Sequence, residues 1–241
     1  MNIAILIPVC SRNQSYTDIS SVPFITQFYP SFLRTCDNSY NYTLFIGYDD
    51  DDEFYKANIH KLEEIDNRIS TIQLSECQHS PPKAWNTICK FAYNHLNYDY
   101  YFQVGDDVVM ECNGWTDHFV KRLLAHNNIG IVGPCDWVNY NQRVSHGRKY
   151  VIENAFVSKK HIDIFGYLFE PSIKNWYCDD WITRIYDDIF CEIQLDYKCT
   201  NSIIDTRYII TSCPDINAKI QNGKQAILDH TTHLSAHTEK Q

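Results

Sequence analysis

The amino-acid sequence predicts an α/β fold, a mostly parallel central sheet with helices on both faces. Three observations predict it. Over about the first 110 residues, short apolar runs alternate with stretches of helical periodicity. The apolar runs are continuous rather than alternating, as expected of strands buried on both faces. Three of them end abruptly on charged groups: Arg12, Asp49, and the pair Asp106 and Asp107. In sheets of this kind ligands bind beyond the carboxyl ends of the strands.

The elements follow in order. "IAILIPV" (3–9) is the first strand. Ser20 and Ser21 before Pro23 mark a helix start, and Phe24, Ile25, Phe28, Phe32 and Leu33 recur at helical spacing. Pro30 should kink or split that helix. "TLFIGY" (43–48) is the second strand and runs into the acidic stretch Asp49 to Glu53. Phe54, Ala57, Leu62 and Ile65 space a helix, and "ISTIQL" (69–74) is the third strand. "PPKAWNTICKFAYNHL" (81–96) is helical through Trp85, Ile88, Ala92 and Leu96. "YYFQV" (100–104) is the fourth strand.

Beyond residue 115 the pattern is mixed. A helix is expected over 115–126, strands over 129–134 and 150–158, and a helix over 179–190. The end of the chain, "LDHTTHLSAHTEKQ", reads as a polar, His-rich tail. No Pro/Gly/Ser-rich linker or internal repeat divides the chain. Residues 1–241 therefore read as one domain: about 1–110 a nucleotide-binding half, about 111–241 an acceptor-binding half and tail.

Composition bounds the function. A net charge of −9 argues against nucleic acid as a partner. A small anionic ligand remains compatible if a divalent metal bridges it to the protein. The ten cysteines show no Cys-x-x-Cys pair and no zinc-ligand spacing. The first apolar run is only seven residues long and is followed by Arg12, so it reads as a buried strand and not a signal peptide. No stretch approaches a membrane span. Ten reduced thiols then suit a cytoplasmic chain.

Four groups of residues could carry chemistry. Asp106 and Asp107 are the first. Burying two adjacent carboxylates costs several kcal/mol unless a cation accompanies them. A hard divalent ion such as Mn²⁺ or Mg²⁺ takes oxygen ligands of this kind; a solvated turn is the alternative. "GDD" also occurs in viral RNA polymerases, but an acidic chain of only 241 residues does not enclose an RNA template. The second group is Asp179 and Asp180 in "WYCDDW", where a helix should start. One of them suits an N-cap, and one suits a general base for a sugar hydroxyl. His230 and His233, with His237, are the third: metal ligands or ordinary tail residues. Lys83 and Asn86 are the fourth, placed to meet a phosphate or ribose at a helix start; a solvent-facing Lys is the alternative.

The arrangement resembles the GT-A class of nucleotide-sugar-dependent glycosyltransferases, which are Rossmann-like. "ILIPVCSRN", with Pro8 and Arg12, resembles the first strand and base-binding loop of that class. "LFIGYDDDD" resembles its second strand, whose terminal acid, here Asp49, faces the nucleoside. "PPKAWN" looks like the helix start before the metal motif, and "YYFQVGDD" is similar to the Asp-x-Asp element or its Glu-Asp-Asp variant. "WYCDDW" is similar to the Trp-Asp-Asp-Trp segment of Golgi N-acetylglucosaminyltransferases of the first type. In overall size the chain resembles small soluble members encoded by large DNA viruses.

One acid departs from the pattern. Val104 stands at the first position of Asp-x-Asp, and Gly105 at the Glu of Glu-Asp-Asp. In the second register the resemblance implies Asp107 as metal ligand and Asp106 facing ribose or metal-bound water. It implies transfer of a sugar from a nucleotide donor, a UDP-sugar first, to a hydroxyl of a glycan or glycosylated acceptor. Mn²⁺ or Mg²⁺ would assist, Asp179 would act as base, and the anomeric carbon would invert. Two rivals stand beside it: a non-catalytic carbohydrate- or nucleotide-binding module on the same fold, and a nucleotidyltransferase. The latter normally has a Gly-rich loop after the first strand, and "PVCSRNQSY" contains no Gly.

Overall fold

The structure is a computed structural model that describes residues 1–95, 97–201 and 210–238, with side chains to residue 232. Eight strands form one sheet: β1 Asn2–Val9, β2 Asn41–Asp49, β3 Ile69–Leu74, β4 Tyr100–Gln103, β5 Val108–Met110, β6 Ile131–Asp136, β7 Phe156–Ser158 and β8 Cys191–Asn201. Their order is β3-β2-β1-β4-β7-β6-β8-β5. The first four in this order are all parallel. Past β4, β7 runs antiparallel to both neighbours, β6 and β8 are parallel, and β5 lies antiparallel on the far edge. The α/β expectation holds, with a parallel first half and a mixed second half.

Strand β1 shows why it reads as a continuous apolar run. Ile3, Ile5 and Ile7 enter one core, while Ala4 and Leu6 enter the other, on the opposite face of the sheet. All five are fully buried. Each large aliphatic side chain contributes about 1.5–3 kcal/mol this way. Helices cover both faces: α1 Tyr29–Thr35, α2 Glu53–Asn58, α3 His60–Glu63, α4 Pro81–His95, α5 Trp115–Ala125, α6 Trp137–Ser145, α7 Lys159–Phe165, α8 Tyr177–Arg184 and α9 Ile216–Thr238. Among the described residues, no helix is long and apolar enough to cross a membrane.

Several expected elements differ in detail. Phe24–Phe28 forms a π-helical turn that leads into α1. Pro30 lies in the first turn of α1, and the expected split falls beside it, where the π-helical turn gives way to the α-helix. The helix expected over 54–65 is split into α2 and α3 at Ile59. Of the strand expected over 150–158 only β7 pairs, and α8 begins two residues earlier than expected and ends at Arg184. Leu96, expected in α4, lies outside the described residues. The polar tail is largely α9, a 23-residue helix. Its crossing of α8 needs Gly223, where a Cβ would sit 2.6 Å from Ile185.

One buried histidine holds the α7–α8 layer together. His161 on α7 is 1% exposed. Its Nε2 donates to the Leu168 carbonyl at 2.9 Å, and its Nδ1 accepts from the Tyr186 hydroxyl at 2.8 Å. Burial lowers its pKa from the ordinary 6.5 to about 4. The unfolded chain therefore takes up a proton that the native chain refuses. The contribution is fully present above about pH 6.5 and is lost as pH falls from there towards about 4. We expect wild type to lose about 2 kcal/mol more than His161→Gln between about pH 7 and pH 5 in denaturant titrations. Parallel losses in the two proteins would show that His161 does not set this slope.

Candidate active site

A cleft of about 750 Å³ opens at the carboxyl ends of β1, β2 and β4. Its first wall follows β1. The Ser11 N–H and hydroxyl both donate to the Asp52 carboxylate at 2.7 Å. Asp52 also caps α2, accepting from the Tyr55 N–H at 3.1 Å. With the loop fixed, Arg12 reaches Asp49 at 3.1 Å and the exposed Asp51 at 3.5 Å. Asp50 accepts from Gln78 Nε2 at 2.7 Å. The four-Asp run thus divides its work: Asp49 and Asp51 pair with Arg12, Asp50 holds Gln78, and Asp52 fixes Ser11 and caps α2. Burial raises the proton affinity of Asp49, and Arg12 opposes that rise. Pro8 lines the same wall.

The floor is the turn after β4. Val104 is fully buried in the apolar core, so the first position of an Asp-x-Asp reading belongs to packing. Gly105 is needed for a different reason. A Cβ there would lie 2.8 Å from Asp107 Oδ1. The missing side chain is what lets the Asp107 carboxylate fold over the turn, and a Glu at 105 would displace it. Asp106 is 3% exposed and lines the cleft beside Asp107.

The third wall is the start of α8. The N-cap position is Trp176, with no side-chain cap bond, and Asp179 and Asp180 are the third and fourth helical residues. The expectation that one of them caps the helix is therefore corrected. Both still lie in the first turn, where the helix dipole favours negative charge. Asp179 is half-buried and crowded by protein, yet it lines the cleft. Burial raises its proton affinity well above the usual carboxylate range, and the charges of Glu153 and Asp180 add to the rise. Burial also raises that of Asp180, against the pull of Arg143 and Arg184.

Facing α8 is a wall that the sequence reading missed. Glu153 accepts from Asn139 Nδ2 at 2.9 Å and lies 3.8 Å from Arg143 Nε. Arg143, His146 and Arg148 line the cleft from α6 and the loop after it. The basic stretch "RVSHGRK" is visible in the sequence, but α6, which buries none of its residues, was not expected as a helix.

The cleft thus gathers Pro8, Arg12, Asp49, Asp106, Asp107, Asp179 and Asp180. Three other candidates lie elsewhere. Asn86 is spent on packing: its Oδ1 accepts from the Leu168 and Phe169 N–H groups at 3.1 and 2.8 Å, and its Nδ2 donates to the Phe169 carbonyl at 2.7 Å. Lys83 lies outside the lining and makes an exposed ion pair with Glu76 at 3.4 Å. His230 is on α9, which packs on α7 and α8, and it is not part of the lining. The His233 side chain lies outside the described residues.

Six carboxylates (Asp49, Asp106, Asp107, Glu153, Asp179 and Asp180) face three guanidinium groups (Arg12, Arg143 and Arg148) in this cleft. Among the described residues no group of three or more His, Cys, Asp or Glu side chains is arranged to hold a metal alone. Mg²⁺-like ions, however, are commonly held by one or two carboxylates together with substrate phosphates and water. Asp107 and Asp106, all-oxygen donors folded over a glycine, fit that kind of site.

No family model and no curated protein matches the sequence. Solved structures do match. A structure of S. aureus TarS 1–349 in complex with UDP-GlcNAc superposes with a TM-score of 0.61 at 11% identity, over 95% of this chain and 67% of that one. The mannosyltransferase PcManGT from Pyrobaculum calidifontis, in complex with GDP-Man and Mn²⁺, gives 0.58 at 12% identity, over 82% of this chain and 56% of its own. Against another TarS structure the TM-score is 0.57 at 13% identity, and the chain spans 84% of itself but only 37% of TarS. The fold is that of these glycosyltransferases.

Proposed function

We propose that this chain is a nucleotide-sugar-dependent glycosyltransferase, using a UDP-sugar and an acceptor hydroxyl on a glycan or glycosylated molecule. The observation that carries the reading is the composition of the single cleft. The Arg12–Asp49 pair, a carboxylate pair at a strand end, and a second carboxylate pair of raised proton affinity all share it. A diphosphate cannot enter a cleft with this excess of carboxylates unless a cation comes with it. The fold it shares with TarS and PcManGT supports the same reading.

In this mechanism Asp107, with Asp106, would hold Mn²⁺ or Mg²⁺, which would supply positive charge against the departing diphosphate. The acceptor hydroxyl lies against Asp179, which takes its proton. The hydroxyl oxygen forms the new bond to the anomeric carbon as the bond to the diphosphate breaks, so the configuration inverts and UDP leaves. Asp180 and Arg143 orient the pair. A non-catalytic binding module is the second reading, favoured by the missing acid at Val104 or Gly105. Release of UDP from UDP-sugars separates the two, since a binder does not turn over.

Asp49 gives a test of nucleoside recognition. A carboxylate at this position accepts from uracil N3–H, a donor that cytosine lacks. We expect Asp49→Ala to weaken UDP binding about tenfold and to narrow its preference over CDP. Calorimetry with both nucleotides measures this, and an unchanged preference places the base elsewhere.

A further inference from the structure

The three guanidinium groups of the cleft are not in the same state. Arg12 is matched by Asp49 at 3.1 Å, and Arg143 by Glu153 at 3.8 Å. Arg148 is exposed, lines the same cleft and, among the described residues, has no acidic side chain matched to its guanidinium. Its backbone N–H donates to the Arg143 carbonyl at 2.9 Å, which anchors the loop end beside Arg143. His146, also on the lining, donates from Nδ1 to the Gln142 carbonyl at 2.7 Å and keeps Nε2 available. Carboxylates outnumber guanidinium groups in the cleft, yet Arg148 alone of the three guanidinium groups has no acid matched to it among the described residues, which leaves it able to take an anion from a partner.

Its position indicates which substrate that partner belongs to. Arg143 lies close enough to Asp179 and Asp180 for its charge to hold down the proton affinity of both. The backbone bond from Arg148 to Arg143, and the Arg143–Glu153 pair, associate Arg148 with the proposed base, where the acceptor must sit. A second, independent feature lies on the same side. Trp176, just ahead of Asp179 in the chain, is 51% exposed and lines the cleft. A large exposed aromatic face of this kind suits the apolar face of a sugar ring.

We infer that the acceptor is a sugar bearing a negatively charged group, a phosphate or a carboxylate, with its ring on Trp176 and its anion on Arg148 and His146. This rests on the glycosyltransferase reading and names its acceptor class. A guanidinium binds phosphate and carboxylate through charge-assisted paired hydrogen bonds, so the chemistry admits both.

The test is calorimetry on the full chain with UDP and Mn²⁺ at saturation, which fills the nucleotide side. Mannose 6-phosphate is compared with mannose, and glucuronic acid with glucose. At least one charged sugar should bind about tenfold more tightly than its neutral partner, and Arg148→Gln should remove most of that preference. The preference should also shrink between about 50 and 300 mM NaCl. Whichever pair shows it distinguishes phosphate from carboxylate. Three results would overturn the inference: equal affinities within both pairs, a preference that survives in Arg148→Gln, or a sugar phosphate that competes with UDP and so belongs to the nucleotide side. The UDP titration itself is read separately. A chain that binds UDP without any charged-sugar preference loses only this inference, while a chain that binds no UDP loses the nucleotide-sugar reading.

Discussion

Asp179→Asn binds UDP and metal as wild type does, unfolds near the same temperature, and transfers about 10²- to 10⁴-fold less sugar. The substitution keeps size and hydrogen-bonding capacity but removes the group that accepts the hydroxyl proton. Stability should change little, because Asp179 is not the cap of α8. Burial and the neighbouring charges disfavour its ionised form in the fold, so replacing it with a neutral amide should not lower stability. The same holds for Asp180, whose proton affinity burial also raises, so melting does not separate the two acids, and turnover must.

The pH profile adds a second handle. Asp179 works as a base only when deprotonated, so the rate should fall as pH drops through its raised proton affinity. Glu153→Gln removes one of the charges that raise it, and should move this acidic limb to lower pH. Near-wild-type transfer by Asp179→Asn, with an inactive Asp180→Asn, would assign the base to Asp180. Normal transfer by both would remove the inverting mechanism.

Asp107→Ala should abolish the stabilisation that UDP gains from Mn²⁺, while the fold survives. Stabilisation by a bound ligand reaches about 2.7 kcal/mol at a hundredfold excess over its dissociation constant. In a chain of this size that is about 5–10 °C in melting temperature. All of the metal-dependent part should vanish, because the turn offers Asp106 and Asp107 as its carboxylates and neither His230 nor Lys83 reaches the cleft. Full metal-dependent UDP binding by the mutant would mean that the metal, if used, is held elsewhere.

The parallel half of the sheet was legible because its strands are buried on both faces. Ile3 to Ile7 have no solvent-facing position at which a polar residue would blur the run. The ends of those strands were legible for the opposite reason: Asp49, Asp106 and Asp107 are charges placed where packing alone would not put them.

The acceptor side was harder to read. Helix α6 buries no residue and was not expected as a helix, and Arg143 and Arg148 were not among the candidate residues. Strand β8 mixes exposed and half-buried positions without alternation. Glu153 sat inside a stretch read as a strand, yet only Phe156–Ser158 of that stretch pairs. Helix α9 carried a readable spacing in Ile216, Ile220, Gly223 and Ile227, hidden by the polar residues between. Asn86 was placed correctly on α4, but its partners come from a loop more than eighty residues away, which local sequence does not show.

The most direct test of the central claim is the release of UDP from UDP-sugars by the full chain with Mn²⁺, followed over time. The account predicts steady release from at least one UDP-sugar, faster with an acceptor present, and abolished in Asp107→Ala. Tight binding of UDP-sugars with no release from any of them, with or without acceptor, would contradict it and leave a binding module on a glycosyltransferase fold.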